Sequence, residues 1–233
     1  MLSLRNVWAG YGGVPILQGI DLDLEEGEIV AVLGRNGVGK TTLLRTIMGL
    51  IPVKSGTIEF LGNDLTSIPV HRRAKLGLGY VPQGRDIFPR LTVHENLLVS
   101  AYANRVNVKE RIEDILEEFP GLRLRLSRNG ESLSGGEQQL LALARAMIAE
   151  PKVLLLDEPS EGLQPSIVDL IAEKIVEIRE RLRVSVLLVE QNLDFAAELA
   201  ERAYIVDVGR ITRELAPSEL LDDPILQHEY IGG

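Results

Sequence analysis

Residues 34–41 run Gly34-Arg35-Asn36-Gly37-Val38-Gly39-Lys40-Thr41, a spacing suited to the capture of a polyphosphate. Glycines let successive main-chain N–H groups converge on phosphate oxygens, and a helix opening at this point adds positive potential. Lys40 supplies a point charge for β- and γ-phosphates, and the Thr41 hydroxyl is placed to ligate Mg²⁺. These eight residues, with Thr42 behind them, are the candidate nucleotide contacts.

Two further groups add chemistry to this loop. The apolar run at 153–156 ends in Asp157 and Glu158. A carboxylate at the end of a buried strand beside a phosphate loop can hold Mg²⁺ directly or through water. The next residue points differently and can orient or deprotonate an attacking water. Asp157 is therefore assigned to the metal and Glu158 to the general base. In the stretch 133–139, LSGGEQQ, Ser134 and Glu137 form a capping box that opens a helix, with Gly135 and Gly136 in its first turn. Adjacent glycines at a helix N-terminus also let a phosphate approach the backbone, so these residues form a second anion site.

The elements that must position these groups are legible in the hydrophobic pattern. Continuous apolar runs at 28–34, 78–82, 153–157 and 184–190 read as strands buried on both faces. Alternating residues at 19–24 and 57–62 read as half-buried strands, with a turn at 25–27. Thr92 and Glu95 make another capping box. Ile112, Ile115, Leu116 and Phe119 share one face of a helix over 109–119, which Pro120-Gly121 should stop. Ile167, Ile171, Ile175, Ile178 and Leu182 stripe a later helix. Strand–helix alternation of this kind predicts an α/β fold with a parallel sheet covered by helices.

Composition narrows the classes. The 233 residues suffice for one large α/β domain with a subdomain. A net charge of −9, from 34 acidic and 25 basic side chains, speaks against nucleic acid, which usually needs a basic stripe. With no cysteine, disulfides and thiolate metal sites are excluded. The first ten residues lack the pattern of a signal peptide, and no apolar run approaches the roughly 18–20 residues that span a bilayer. Any membrane role is expected to come through a partner.

Taken together the motifs make the chain resemble the ATP-binding-cassette ATPases over essentially its whole length, in the family's own order. The resemblance implies a P-loop NTPase core of RecA-like type with a mostly parallel sheet, an N-terminal antiparallel β subdomain and an inserted helical subdomain. Residues 1–83 and 151–233 would form the core with its β subdomain, and 84–150 the helical part carrying the signature. Tyr11 looks like the aromatic that stacks on adenine, with Trp8 as its rival. Gln83 looks like the glutamine that contacts Mg²⁺ and signals to a membrane partner. LSGGEQQ matches the family signature and VEQN at 189–192 the switch segment. In this family two domains dimerise head to tail, so Ser134, Gly135 and Gly136 would serve the γ-phosphate bound by a partner subunit.

Two positions depart from the family pattern. Gln191 stands where the switch is usually histidine, and Gln164 where an aspartate is usual; His71, His94 and His228 lie far from the switch. An amide can hydrogen-bond a γ-phosphate but carries no proton or charge for it. One consequence is a site that mainly binds ATP. The other is an asymmetric pair, in which a second ATPase contributes the histidine-bearing site while Gln191 serves here.

The strings GRNGVGKTTLLRTIMGL and DEPSEGLQPSI resemble the shorter ATPase of importers for branched-chain amino acids and related amides, with a lean towards the urea-importing branch. The resemblance implies Mg²⁺ and ATP, a second ATPase subunit, two permeases and a periplasmic binding protein. It also implies a cytoplasmic location, peripheral on the inner face of the cell membrane. The alternatives are a soluble cassette acting on DNA or ribosomes and a regulatory module that binds ATP without hydrolysis.

Overall fold

The computed structural model describes residues 1–104 and 107–222. Two sheets organise it. Strands β1 (Leu2–Tyr11), β2 (Val14–Leu24), β4 (Val53–Phe60) and β5 (Asn63–Asp64) pair antiparallel in the order β2-β1-β4-β5. The larger sheet contains β3 (Ile29–Leu33), β6 (Leu78–Val81), β7 (Val153–Asp157), β8 (Ser185–Glu190), β9 (Arg202–Asp207) and β10 (Arg210–Leu215). Its order is β10-β9-β3-β8-β7-β6, parallel except for the edge strand β10.

The three central strands alternate faces at single-residue resolution. Ile29, Ala31 and Leu33 of β3, Leu154 and Leu156 of β7, and Val186 and Leu188 of β8 enter one core. Val30, Val32, Val153, Leu155, Leu187 and Val189 enter the other. Both faces are apolar because both are covered, which is why these strands read as unbroken hydrophobic runs.

The first core is closed by helices α3 (Val93–Asn104), α4 (Val108–Glu118), α5 (Pro120–Arg123), α6 (Gly135–Met147), α7 (Pro165–Leu182) and α8 (Leu193–Leu199). The second core packs α1 (Lys40–Met48) and the antiparallel sheet against the opposite face, with α2 (Val70–Leu76) alongside. A last helix, α9 (Pro217–Asp222), follows β10.

The expected helix over 109–119 is α4, and its four apolar residues are buried. The capping box of Thr92 and Glu95 forms, with Thr92 N donating to Glu95 Oε2 at 2.8 Å and Glu95 N to Thr92 Oγ1 at 3.1 Å. One expectation holds with an addition, and one needs correction. Pro120 does not merely stop α4: it opens the one-turn helix α5, because a missing N–H costs nothing in a first turn. Leu182 leaves the buried stripe of α7 and is 42% exposed, since it is the helix's last residue and the chain turns there through Arg183 at φ 52°.

Candidate active site

The loop between β3 and α1 is shaped by close approach and by a bare helix start. A Cβ on Gly34 would lie 2.4 Å from the carbonyl oxygen of Val206, so only glycine fits between β3 and β9. The turn after β9 holds the loop from outside, with Gly209 N donating to Val38 O at 2.9 Å. Helix α1 begins at Lys40 behind Gly39, which sits at φ 115°. No side chain caps this N-terminus and no acid stands in its first turn, so its N–H groups point outward as anion donors.

A cleft of about 230 Å³ opens over these donors. Tyr11, Asn36, Gly37, Gly39, Lys40, Thr41, Thr42, Gln83 and Glu158, all named from the sequence, line it together with Ile16. Gly34, Arg35 and Val38 complete the loop behind that lining. The two N-terminal aromatics differ in position. Tyr11 stands at the cleft mouth, whereas the Trp8 indole donates to Asn6 and has the Arg210 guanidinium over its ring.

Lys40 is almost fully buried, and its ammonium donates to Gly34 O at 2.7 Å and Arg35 O at 3.1 Å. Glu158 Oε1 faces it at 3.1 Å. Glu158 itself is turned off the β7 axis by a left-handed backbone, φ 48°, an unusual conformation for a residue with a side chain. This turn separates it from Asp157, whose carboxylate stays in the interior at 2% exposure. Asp157 Oδ1 accepts from the Thr41 hydroxyl at 2.9 Å and Oδ2 from the Tyr80 hydroxyl at 3.1 Å. Burial pushes the Asp157 carboxyl above its ordinary range, while hydrogen bonds from Thr41, Tyr80 and the Gln83 main chain pull the other way.

The donor set of Thr41, Asp157 and the Gln83 amide consists of hard oxygens and fits Mg²⁺, which keeps several ligands for water and phosphate. No cluster of three or more His, Cys, Asp or Glu suited to a metal exists among the described residues.

Gln83 and Gln191 bond different parts of the site. Gln83 Nε2 donates to Glu158 Oε2 at 3.2 Å and to Glu161 Oε2 at 3.0 Å. The Gln191 amide bonds the Asn36 side chain of the phosphate loop. His71 and His94 are exposed on α2 and α3, and His228 lies outside the described residues.

Ser134, Gly135 and Gly136 are not part of this cleft. They open α6, where Glu137 N donates to Ser134 Oγ at 3.3 Å and Ser134 N to Glu137 Oε2 at 2.8 Å. Ser134 is exposed, but Gly136 is buried under α7, and a Cβ there would come 2.4 Å from Ile167 Cγ2. Its small size therefore also serves helix packing inside the subunit. Arg85, two residues after Gln83, donates to Gln138 Oε1 at 3.2 Å and so joins the Gln83 segment to α6.

Four residues that touch the site were not anticipated: Tyr80, Arg45, Glu161 and Glu190. Arg45 lies between the Tyr11 and Tyr80 hydroxyls, whose hydrogen bonds hold its guanidinium above the ordinary value. Burial foremost, and the Asp157 charge after it, push the Tyr80 phenol up as well.

Comparison with known proteins adds to this geometry. The model of the ABC transporter family matches residues 17–161. Over 223 residues the chain is 42% identical to the probable branched-chain amino acid transport ATP-binding protein LivF of Archaeoglobus fulgidus, covering 95% of this chain and 94% of that protein. It is 41% identical over 234 residues to the high-affinity branched-chain amino acid transport ATP-binding protein BraG of Pseudomonas aeruginosa, covering 100% of both. The lipopolysaccharide export system ATP-binding protein LptB of Escherichia coli K12 is 36% identical, covering 99% of this chain and 97% of that protein.

Among solved structures, the ADP conformation of the ATP-binding cassette MJ1267 superposes with a TM-score of 0.86 at 26% identity, covering 100% of this chain and 99% of that one. A dimeric post-hydrolysis state of the cassette MJ0796, bound to ADP and Pi, gives 0.82 at 25% identity, covering 93% and 99%.

Proposed function

The chain belongs to the ABC transporter family as its ATPase, and from that premise we propose that it is the energy-coupling subunit of an importer for branched-chain amino acids. The observation that carries the reading is the meeting of Lys40, Thr41 and Glu158 around one cleft, with Asp157 bonded to Thr41, at the ends of β3 and β7, the parallel strands on either side of β8. Main-chain N–H groups of 34–41 and the Lys40 ammonium hold the triphosphate, and Tyr11 stacks on the adenine. Thr41, Asp157 and Gln83 hold Mg²⁺, which when bound neutralises charge on the phosphate oxygens. Glu158 orients the attacking water and takes its proton. The Gln191 amide donates to the γ-phosphate.

Ser134, Gly135 and Gly136 stand outside the cleft, so they serve the site of a second cassette in a head-to-tail pair. The second cassette is a different chain that carries histidine at the switch, and two permeases and a periplasmic binding protein complete the assembly. No helix among the described residues is long and apolar enough to cross a membrane. Because its partners in this reading are permeases and its substrate is ATP, we assign the chain to the cytoplasmic face, bound peripherally to the permeases. The helical part, 84–150, would meet the permease loops beside Gln83. A groove there is lined by Leu50, Phe88 and Arg145, with the two apolar side chains exposed.

The substrate class rests on relatives. LivF and BraG carry branched-chain amino acid transport in their names, a substrate class we put ahead of urea. Export is the second reading, supported by the 36% identity to LptB. Proteoliposomes carrying the complex distinguish them. ATP-driven leucine uptake that Lys40→Ala abolishes is the expected result; uptake indifferent to Lys40→Ala, or ATP consumption coupled only to lipid extraction, would overturn the import reading.

A further inference from the structure

Glu190 ends β8 with 2% exposure, a carboxylate inside the molecule that pairs with no lysine or arginine among the described residues. Main-chain donors from two separate segments meet it instead. Ser160 N donates to Oε1 at 3.0 Å, while Gln191 N and Asn192 N donate to Oε2 at 3.0 and 3.2 Å. Ser160 follows Glu158 by two residues, and Glu158 N itself donates to Val189 O at 2.9 Å. The segment that carries Glu158 is thus fastened twice to the end of β8. The next residue of that strand end, Gln191, reaches the phosphate loop at Asn36.

We propose that Glu190 is a positioning residue for ATP hydrolysis, one carboxylate oxygen holding the 158–164 segment and the other holding the 190–192 segment. The two segments then keep one mutual geometry about the γ-phosphate and shift as a unit. The inference rests on the reading of Glu158 and Gln191 as hydrolytic residues and adds what holds them in register. A carboxylate is required because every donor needs an acceptor. An amide of the same shape has one acceptor oxygen, and its NH₂ must face either the Ser160 N–H or the Gln191 and Asn192 pair. One segment is then released. The strand itself does not depend on this charge, since β8 is laddered to β3 and β7 along its length.

The test uses the assembled complex with Mg-ATP and compares Glu190→Gln, Gln191→Ala, their double variant and Glu190→Asp in this chain. Glu190→Gln is expected to lower kcat by about 10–100-fold, the scale of a misplaced catalytic group, with nucleotide affinity unchanged. The double variant should be no slower than the slower single one, because both changes break the same arrangement. Glu190→Asp keeps two acceptors on a shorter stem and should fall between wild type and Glu190→Gln. If Glu190→Gln fails to fold, Glu190→Asp carries the same comparison with Gln191→Ala.

Unchanged kcat in Glu190→Gln, multiplicative losses in the double variant, or a loss that tracks only the fraction of folded protein would overturn the proposal. Should Gln191→Ala leave kcat unchanged, the reading of the switch falls, and the proposal with it. Loss in Gln191→Ala without loss in Glu190→Gln rejects the proposal alone.

Discussion

At the scale of single residues the site is a set of buried charges, each met by a specific partner. Lys40 is satisfied by two loop carbonyls and Glu158, and Asp157 by two hydroxyls from α1 and β6. Tyr80→Phe tests the less obvious of these. It leaves the ring in place but removes one donor from a buried carboxylate, at a cost of about 1–2 kcal/mol in stability. It should also disturb the metal carboxylate, so more Mg²⁺ is needed for half-maximal ATPase rate. Urea unfolding and a Mg²⁺ titration measure the two effects, and wild-type values in both would refute the contact's importance.

Lys40, Thr41, Asp157 and Glu158 were legible in the sequence because each motif is local and its spacing has a chemical reason. Tyr80 and Glu190 were not. Tyr80 reads as one more apolar strand residue, and it meets Asp157 only because β6 lies beside β7, 77 residues apart in the chain. Glu190 reads as an ordinary acid at a strand end until the sheet brings Ser160 against it.

At the scale of elements, helix starts were the best-marked features. The boxes at Thr92 and Ser134 form as their spacing predicts, since both partners lie within one turn. The start of α7 is different. Gln164 occupies its N-cap with φ −73° and ψ 150° but makes no capping hydrogen bond. A glutamine side chain is one methylene too long for the bond that a short acid makes to the N2 or N3 amide. Gln164→Asp should therefore stabilise the protein by about 1 kcal/mol, read as a higher urea midpoint at constant slope. An unshifted midpoint would mean that the cap position is already satisfied.

The strands β9 and β10 and the helices α2 and α8 were not anticipated from local pattern. They are short, and β10 is exposed or half-buried along its length, so it lacks a strong hydrophobic period.

At the scale of the whole molecule, the two helix N-termini proposed as anion sites do not line one cleft. The N-terminus of α1 looks into the cleft beside Lys40, and the N-terminus of α6 with Ser134 lies outside it. That separation is why the account needs a second cassette, and the MJ0796 cassette, a structural neighbour, is dimeric with ADP and Pi bound. It could be inferred from the sequence only through the family's order of motifs, because no local pattern says which of two anion sites a phosphate reaches first. Inside the subunit, Gln83 touches Glu158 while Arg85 touches α6, so the chain has a short path between its two ends.

The most direct measurement is phosphate release from Mg-ATP by the assembled complex, with Glu158→Gln placed in this chain alone. Release should fall by about 100-fold or more, the scale of a lost general base, while ATP binding persists. Release at the wild-type rate with nucleotide still bound would contradict it, leaving this cleft a binding site and the chemistry to the partner cassette.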